Sequence, residues 1–385
     1  MKNIIFCADG TWNGPGEDPE NNTLSGTTNV FKLFCNLSGI PTPDSTRLKD
    51  EQESILTENG SVTQVAKYIH GVGDSDNFLV KLMGGTLGAG IISRIIRGYT
   101  FISRNYQPGD KIFITGFSRG AYTARALAGL ISAKGLLDAT KLDLSDKSQA
   151  YRMGSAVWYD YRKSAIKEDS LLGALQEIVV DLPGFLTSEP TAQLTPANIA
   201  AVAVWDTVGA LGIPQYAIGS DNRIASLRFV DNNLSQNVAL GYHAISIDEE
   251  RDDFTPTLWS PRDGIEQRLF PGAHADVGGG YPDGLSKNGY ESGLSDRALV
   301  WLSKCLESNG VQFANPLVLK PDPHANGTAH QPWISPPWNV LPHSLRTFPD
   351  WLKTNIDESV NERKAAGNVK ADPTATPGPY APLNI

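Results

Sequence analysis

The chain has 385 residues, 40% of them hydrophobic, with a formal net charge of −9 and a pI near 5.2. That acidic balance argues against a dedicated nucleic-acid binder, which would carry a basic patch. The three cysteines, Cys7, Cys35 and Cys305, form no CxxC pair, which argues against a disulfide framework.

In chain order, Asn3 to Ala8 (NIIFCA) is an apolar run ended by Asp-Gly and predicts a buried strand. A loop rich in Gly, Pro, Asn and Thr follows, from Gly10 to Thr28. Val62 to Asp74 predicts a second strand, ending in glycines. The stretch from Gly84 to Gly90 leads into IISRIIRGYTFISRNY, whose apolar residues recur at helical spacing. Lys111 to Phe117 (KIFITGF) predicts a third strand, and the helix after it stops at Gly135. Residues 138 to about 195 are charged and helical in pattern, and predict an inserted cap. Asn198 to Thr207 (NIAAVAVWDT) returns to an apolar strand, ended by Asp206. VALGYHAISIDEE and IEQRLFPGAHADVGGGY supply two more strand-like runs. SDRALVWLSKCLESNG then predicts an amphipathic helix with a serine cap and a glycine stop. From Pro316 onward proline is dense, which predicts an extended tail on the surface.

Buried strands alternating with helices predict an α/β fold: a mostly parallel sheet with helices on both faces. The whole chain, 1–385, reads as a single domain with a helical cap at about 138–195 and a surface-wrapping tail at about 316–385. In such sheets the site lies at the carboxyl ends of the strands. Asp9, Ser118, Asp206 and His274 all sit at or just after predicted strand ends.

The run GFSRG is a G-x-S-x-G match between a strand and a helix. A sharp turn there would present the Ser118 hydroxyl above the sheet, with helix-start amides aimed at the same spot. The bland alternative is a serine that caps a structural helix. A serine nucleophile needs a base, and the base needs an orienting acid. Of six histidines, His274 lies in a glycine-flanked loop after a strand, whereas His243 reads as a satisfied core residue. Asp206 ends an apolar strand, where a carboxylate is costly without a partner. Asp248, at the end of HAISID, is the alternative acid, and Asp276 reads as shaping its own loop. The Arg119 backbone N–H is a candidate oxyanion donor, with Gly10 or Thr11 as the second and Asp9 as the brace of that loop. A tight turn held by the Asp9 side chain is an equal reading of Asp9-Gly10-Thr11.

Other signals are weaker. GGTLGAG lacks the spacing of a phosphate loop. Neither HADVGGGYPD nor DEERDD has metal-ligand spacing, so no metal and no cofactor are expected. The apolar region from Leu79 to Phe101 leaves a peripheral membrane contact open, beside the reading as a core helix. The N-terminus lacks the long apolar core and cleavage site of a secretory signal. No apolar run reaches the roughly 18 residues of a spanning helix. Synthesis in the cytoplasm is expected, with export by signal-independent machinery left open.

The segments ADGTWN, GVGD, GDKIFITGFSRGAYTARALAGLI, VAVWDTVGALG, HAISIDEERDDF and LFPGAHADVGGGY occur together and in order. This set resembles the DUF2235 group of α/β-hydrolases, which includes the Tle1-type phospholipase effectors of type VI secretion. The resemblance spans about residues 3 to 305. It implies a serine esterase or lipase with Ser118 as nucleophile, His274 as base and Asp206 as the favoured acid. It also implies an ester or lipid substrate, with an immunity or delivery partner if the chain is an effector. IDESVNERK looks like the family's closing H-x-S-V-x-x-R pattern, but Glu358 stands where histidine is usual, so no catalytic role is assigned there.

Three function classes compete. The leading one is ester hydrolysis through an acyl-enzyme on Ser118, acting on lipid acyl esters or on non-lipid and polyester substrates. CADGT invites comparison with phosphatases that start on a nucleophilic aspartate, but Cys7 occupies that position. The third is a catalytically silent interaction module on a hydrolase scaffold.

Overall fold

The computed structural model describes residues 1–10, 27–42, 51–71, 87–165, 193–208, 233–281, 285–286, 289–290, 293–336 and 338–385. Its centre is an eight-stranded sheet. The strands are β1 (Asn3–Ala8), β2 (Ile40–Pro41), β3 (Glu51–Glu58), β4 (Ser61–Ile69), β5 (Lys111–Phe117), β8 (Ile199–Trp205), β9 (Val238–Ser246) and β10 (Ile265–Phe270). The two-residue strands β6 (Leu136–Leu137) and β7 (Leu194–Thr195) pair with each other outside it. The sheet order is β10-β9-β8-β5-β1-β4-β3-β2. From β10 to β4 all neighbours are parallel, and β3 and β2 add an antiparallel edge.

Side-chain alternation explains why the central strands are apolar throughout. On β1, Ile4, Phe6 and Ala8 enter one core cluster, while Ile5 and Cys7 enter the other. The first core holds α2 (Leu87–Asn105), α3 (Arg119–Lys134) and α4 (Lys147–Ala165), through residues such as Ile95, Leu127 and Trp158. The second holds α1 (Asn29–Asn36) and the helix α6 (Leu294–Ser308), through Phe31, Leu33, Leu299 and Leu302. Between them in sequence lies the short helix α5 (His274–Gly278). Helices therefore cover both faces, as the pattern predicts. Among the described residues, no helix is long and apolar enough to cross a membrane.

Several local expectations change. The strand expected over Val62–Asp74 ends at Ile69, and residues 72–74 lie outside the described residues. The described part of the Leu79–Phe101 region is a core helix, with Ile95, Ile96 and Tyr99 fully buried. Gly293, in the left-handed region at φ 115°, caps α6, and Ser295 falls inside its first turn. Of the cap expected at 138–195, α4 packs beside α2 and α3, and residues 166–192 lie outside the described residues.

The tail differs most from an extended surface strap. It contains α7 (Asp350–Lys353) and α8 (Glu358–Ala366), and buries Leu352 and Val360 in a third core against Ile245, Ile247 and Leu269. Arg346 and Arg363 are also buried.

Candidate active site

The site grows from the ends of β5, β8 and β9 and from the loop after β10. β5 is the inner strand between β1 and β8. Ser118 follows it at once, with φ 57° and ψ −121°, and α3 begins at the next residue. Few non-glycine residues sit at such a φ, so the turn holds the serine against its own backbone preference. The register hydrogen bond from Ser118 N to Trp205 O, 3.1 Å, and the first bond of α3, from Tyr122 N to Ser118 O at 3.1 Å, hold the turn from both sides.

Two glycines make this turn sterically feasible. A Cβ on Gly120 would lie 2.1 Å from Ala8 O, and one on Gly116 would lie 2.3 Å from Gly120 O. These contacts are with backbone, which cannot swing aside. Gly120→Ala is therefore expected to cost about 1–3 kcal/mol of stability or more through overpacking. It should also lower any Ser118-dependent turnover by about 10²-fold, since the elbow must shift by roughly an ångström. Thermal melting and a soluble-ester assay check this; parental values for both would refute the account of the turn.

Asp206 directly follows β8, fully buried, in a positive-φ conformation at 36°. His274 opens α5. Its Nδ1 lies 2.5 Å from Asp206 Oδ2. Burial alone would raise the Asp206 pKa, but the Arg346 charge and the His274 hydrogen bond outweigh it and hold the carboxyl well below its ordinary range. An ionised carboxylate only accepts, so Nδ1 carries the proton and Nε2 is left bare. Burial also lowers the His274 pKa, opposed by Asp206 and Glu249, which favours the neutral imidazole. Phe117 and Phe254 flank the imidazole, with ring centroids 4.6 Å and 5.0 Å away.

Asp248 is placed differently. It accepts from Gly272 N at 2.6 Å and from Tyr380 Oη at 2.9 Å, and so ties the His274 loop to the tail. Burial pushes it up to about 6, against those hydrogen bonds. Asp276 accepts from Ala273 N and faces His330 Nδ1 at 2.7 Å, shaping its own loop. His243 is a satisfied core histidine: Thr207 N donates to its Nε2 at 3.0 Å, and burial pushes its pKa down to about 3.

Asp9 is buried at the end of β1. It accepts from Tyr68 Oη at 2.6 Å, Thr28 Oγ1 at 2.8 Å and Gly10 N at 2.7 Å. Burial pushes it up to about 7, opposed by those three donors and by Arg94. The Gly10 N–H is thus engaged by the Asp9 carboxyl in this conformation, and Thr11 lies outside the described residues. Arg119 N stands at the start of α3, immediately after Ser118.

Residues that sequence reasoning missed complete the surroundings. Arg346, from the tail, grips Asp206 with both terminal nitrogens, at 2.8 and 2.9 Å. Glu249, fully buried, accepts from His274 N at 3.2 Å and holds Arg251 through two hydrogen bonds of 2.8 Å. Arg251 in turn covers the Phe254 and Trp338 rings, 3.6 and 4.7 Å from their centroids.

Comparison with known proteins gives the chain a family. The family described as type VI secretion, phospholipase effector Tle1-like, catalytic domain matches residues 2–305. The chain belongs to that family. An uncharacterized protein of Saccharomyces cerevisiae is 31% identical over 150 residues, which is 35% of this chain and 18% of the yeast protein. Two solved structures are similar. One is an uncharacterized protein from Pseudomonas aeruginosa, with TM-score 0.46 and 17% identity, covering 81% of this chain and 46% of that one. The other is the Tle1 effector bound to the VgrG spike from the type 6 secretion system, with TM-score 0.38 and 19% identity, covering 73% of this chain and 51% of that one. The chain thus spans about half the length of these two structures and under a fifth of the yeast protein. Family membership fits the α/β-hydrolase-like sheet, and the matched span stops before Arg346.

Proposed function

We propose that the protein is a serine hydrolase that cleaves the acyl esters of phospholipids through an acyl-enzyme on Ser118. The observation that carries this reading is the 2.5 Å contact between His274 Nδ1 and a buried, ionised Asp206, at the same carboxyl-terminal end of the sheet as the Ser118 turn. Membership of a family of phospholipase effector domains supports the substrate class.

In the proposed mechanism His274 Nε2 takes the Ser118 proton as Oγ attacks the ester carbonyl. Arg119 N stabilises the tetrahedral oxyanion, and the positive end of α3 adds to it. A second donor from the Asp9-Gly10-Thr11 turn requires Gly10 N to leave the Asp9 carboxyl, or Thr11 to serve instead. His274 then protonates the leaving alcohol and activates water to release the fatty acid. Asp206 fixes the imidazole tautomer and stabilises the imidazolium.

The deciding experiment follows phosphatidylethanolamine and phosphatidylglycerol vesicles incubated with the purified protein, by mass spectrometry. Fatty acid and lysophospholipid are the expected products. Release of a phosphorylated head group, or no turnover of any lipid together with no turnover of soluble acyl esters, would overturn the reading.

The tail supports contact with a lipid surface. Ile334, Val340 and Leu345 are exposed on it, Val340 by 80%, close in sequence to Trp338 and Arg346. Trp338 meets Phe254 edge-on at 5.5 Å, and Phe254 meets His274. Val340→Asp is expected to slow vesicle hydrolysis by about tenfold, the scale of one lost apolar side-chain transfer, with soluble-ester turnover unchanged. Equal rates on vesicles would remove this segment from the lipid contact. Delivery by a type VI secretion apparatus belongs to the same proposal, on the strength of the family description.

A further inference from the structure

We infer that Arg346 is a positioning residue of the active site, which acts through Asp206 to set the orientation and proton affinity of His274. This rests on the reading of Ser118, His274 and Asp206 as the catalytic groups. Arg346 itself touches none of the atoms that would react.

The geometry is that of a built site. Asp206 has two carboxylate oxygens, and both are fully committed. Oδ1 accepts from Ser246 N at 3.0 Å and from Arg346 Nη1 at 2.8 Å. Oδ2 accepts from His274 Nδ1 at 2.5 Å and from Arg346 Nη2 at 2.9 Å. The guanidinium fork thus lies flat against the carboxylate and fixes its plane. With the plane fixed, Oδ2 can meet only one imidazole orientation. Arg346 is itself held. Nη1 also donates to Ser246 O and Oγ, at 2.8 and 3.0 Å, and Nη2 donates to Phe254 O. Its own carbonyl accepts from Asn384 Nδ2 at 3.1 Å, and the same nitrogen donates to Ile247 O at 3.0 Å. Only 6% of Arg346 is exposed, and Asp206 is not exposed at all. A buried pair of this kind is screened little by salt.

The electrostatic consequence has a definite sign. Arg346 shares the Asp206 charge with His274, so the imidazole feels less of it. Among the described residues, the other charges that act on His274 are Glu249, which accepts from His274 N, and Arg251, which pairs with Glu249. His243 sits next to the pair and stays neutral. Removing the Arg346 charge leaves Asp206 acting on His274 alone, and every proton-bound form of the pair becomes more favourable. The acid limb of the rate profile must then move to higher pH. A side chain that only filled space would leave the limb where it is.

The test uses the full chain and a soluble ester, so that lipid binding does not enter. Arg346→Ala is expected to lower kcat about 10²-fold, the scale of one lost charged partner of a buried carboxylate, with KM within a few-fold of parental. The acid limb should move up by about one pH unit. Added guanidinium, far below unfolding concentrations, should recover part of the rate and return the limb towards its parental position. Arg346→Lys, which keeps the charge but loses the fork, should keep the limb near its parental position while kcat stays depressed. If Arg346→Ala does not fold, the lysine variant and a fluorophosphonate labelling profile against pH serve in its place. Parental kcat and an unmoved limb in the folded variants would overturn the inference. So would a rate loss without a limb shift and without guanidinium rescue. The Ser118→Ala protein separates the two levels. If it still turns over ester, the serine reading has failed. If it is inert while the Arg346 variants behave as parental, Ser118 keeps its role and Arg346 has no positioning role.

Discussion

Ser118→Ala is expected to lower ester turnover by about 10⁴-fold or more, because removing the proposed nucleophile disables the other groups that act with it. The fold should survive the change. Alanine carries the same Cβ as serine, so the clash-free elbow built by Gly116 and Gly120 is untouched. No cap hydrogen bond from the Ser118 side chain is lost, since it makes none to α3. The melting temperature should stay within a few degrees, a change of about 1 kcal/mol at most. A fluorophosphonate probe should label the parental protein at Ser118 and leave the variant unlabelled, as read by peptide mass spectrometry. Labelling of the variant at another residue, with turnover retained, would end the assignment. A serine that merely capped a helix would also fail to label in the parental protein.

Asp206→Asn should be nearly as damaging, for a reason specific to this site. Arg346 can only donate, so it claims the single carbonyl oxygen of the new amide. The amide nitrogen is then turned to His274 Nδ1 and forces the imidazole into the wrong tautomer. Nε2 becomes a donor and cannot take the Ser118 proton. A loss of about 10³- to 10⁴-fold in kcat is expected, as for an orienting acid elsewhere. Stability should fall as well, by about 3–5 kcal/mol, because a buried guanidinium has lost its counter-charge. Asp248→Asn is the matched control. Its carboxyl, pushed up to about 6 by burial, makes its hydrogen bonds to Gly272 N and Tyr380 Oη. That substitution should change kcat by less than about tenfold. A larger loss at Asp248 than at Asp206 would reverse the assignment of the acid.

The parts of this site that could be read from the chain are those with local chemistry. Ser118 stands between two glycines at a strand-to-helix junction, and a backbone collision at Gly120 demands that spacing. Asp206 and His274 follow apolar strands, where polar groups need partners. The choice between Asp206 and Asp248 was not local. Both end apolar runs on neighbouring strands, and the parallel register, with Trp205 beside Ala244, brings only Asp206 to His274. Glu249 sits in DEERDD, a charge run whose spacing assigns it no role, yet it is fully buried against Arg251 and the His274 amide. The antiparallel strand β3, EQESILTE, is polar enough at the sheet edge to hide its alternation. Arg346 had no sequence signal at all. It is one arginine in a proline-rich stretch, and its partner lies 140 positions earlier.

That separation ties the tail to the burial of Asp206. Ser118, Asp206 and His274 precede Arg346 in the chain, and the sheet from β4 to β10 is complete before it. Burying Asp206 without its counter-charge is unfavourable. A sheet formed early would therefore hold the end of β8 open, or hold Asp206 protonated, until the tail docks. Docking of the tail is thus coupled to the last dehydration of the centre, and hydrogen exchange at Asp206 and Ser246 should become protected in the same step as the third core around Ile245 and Leu352.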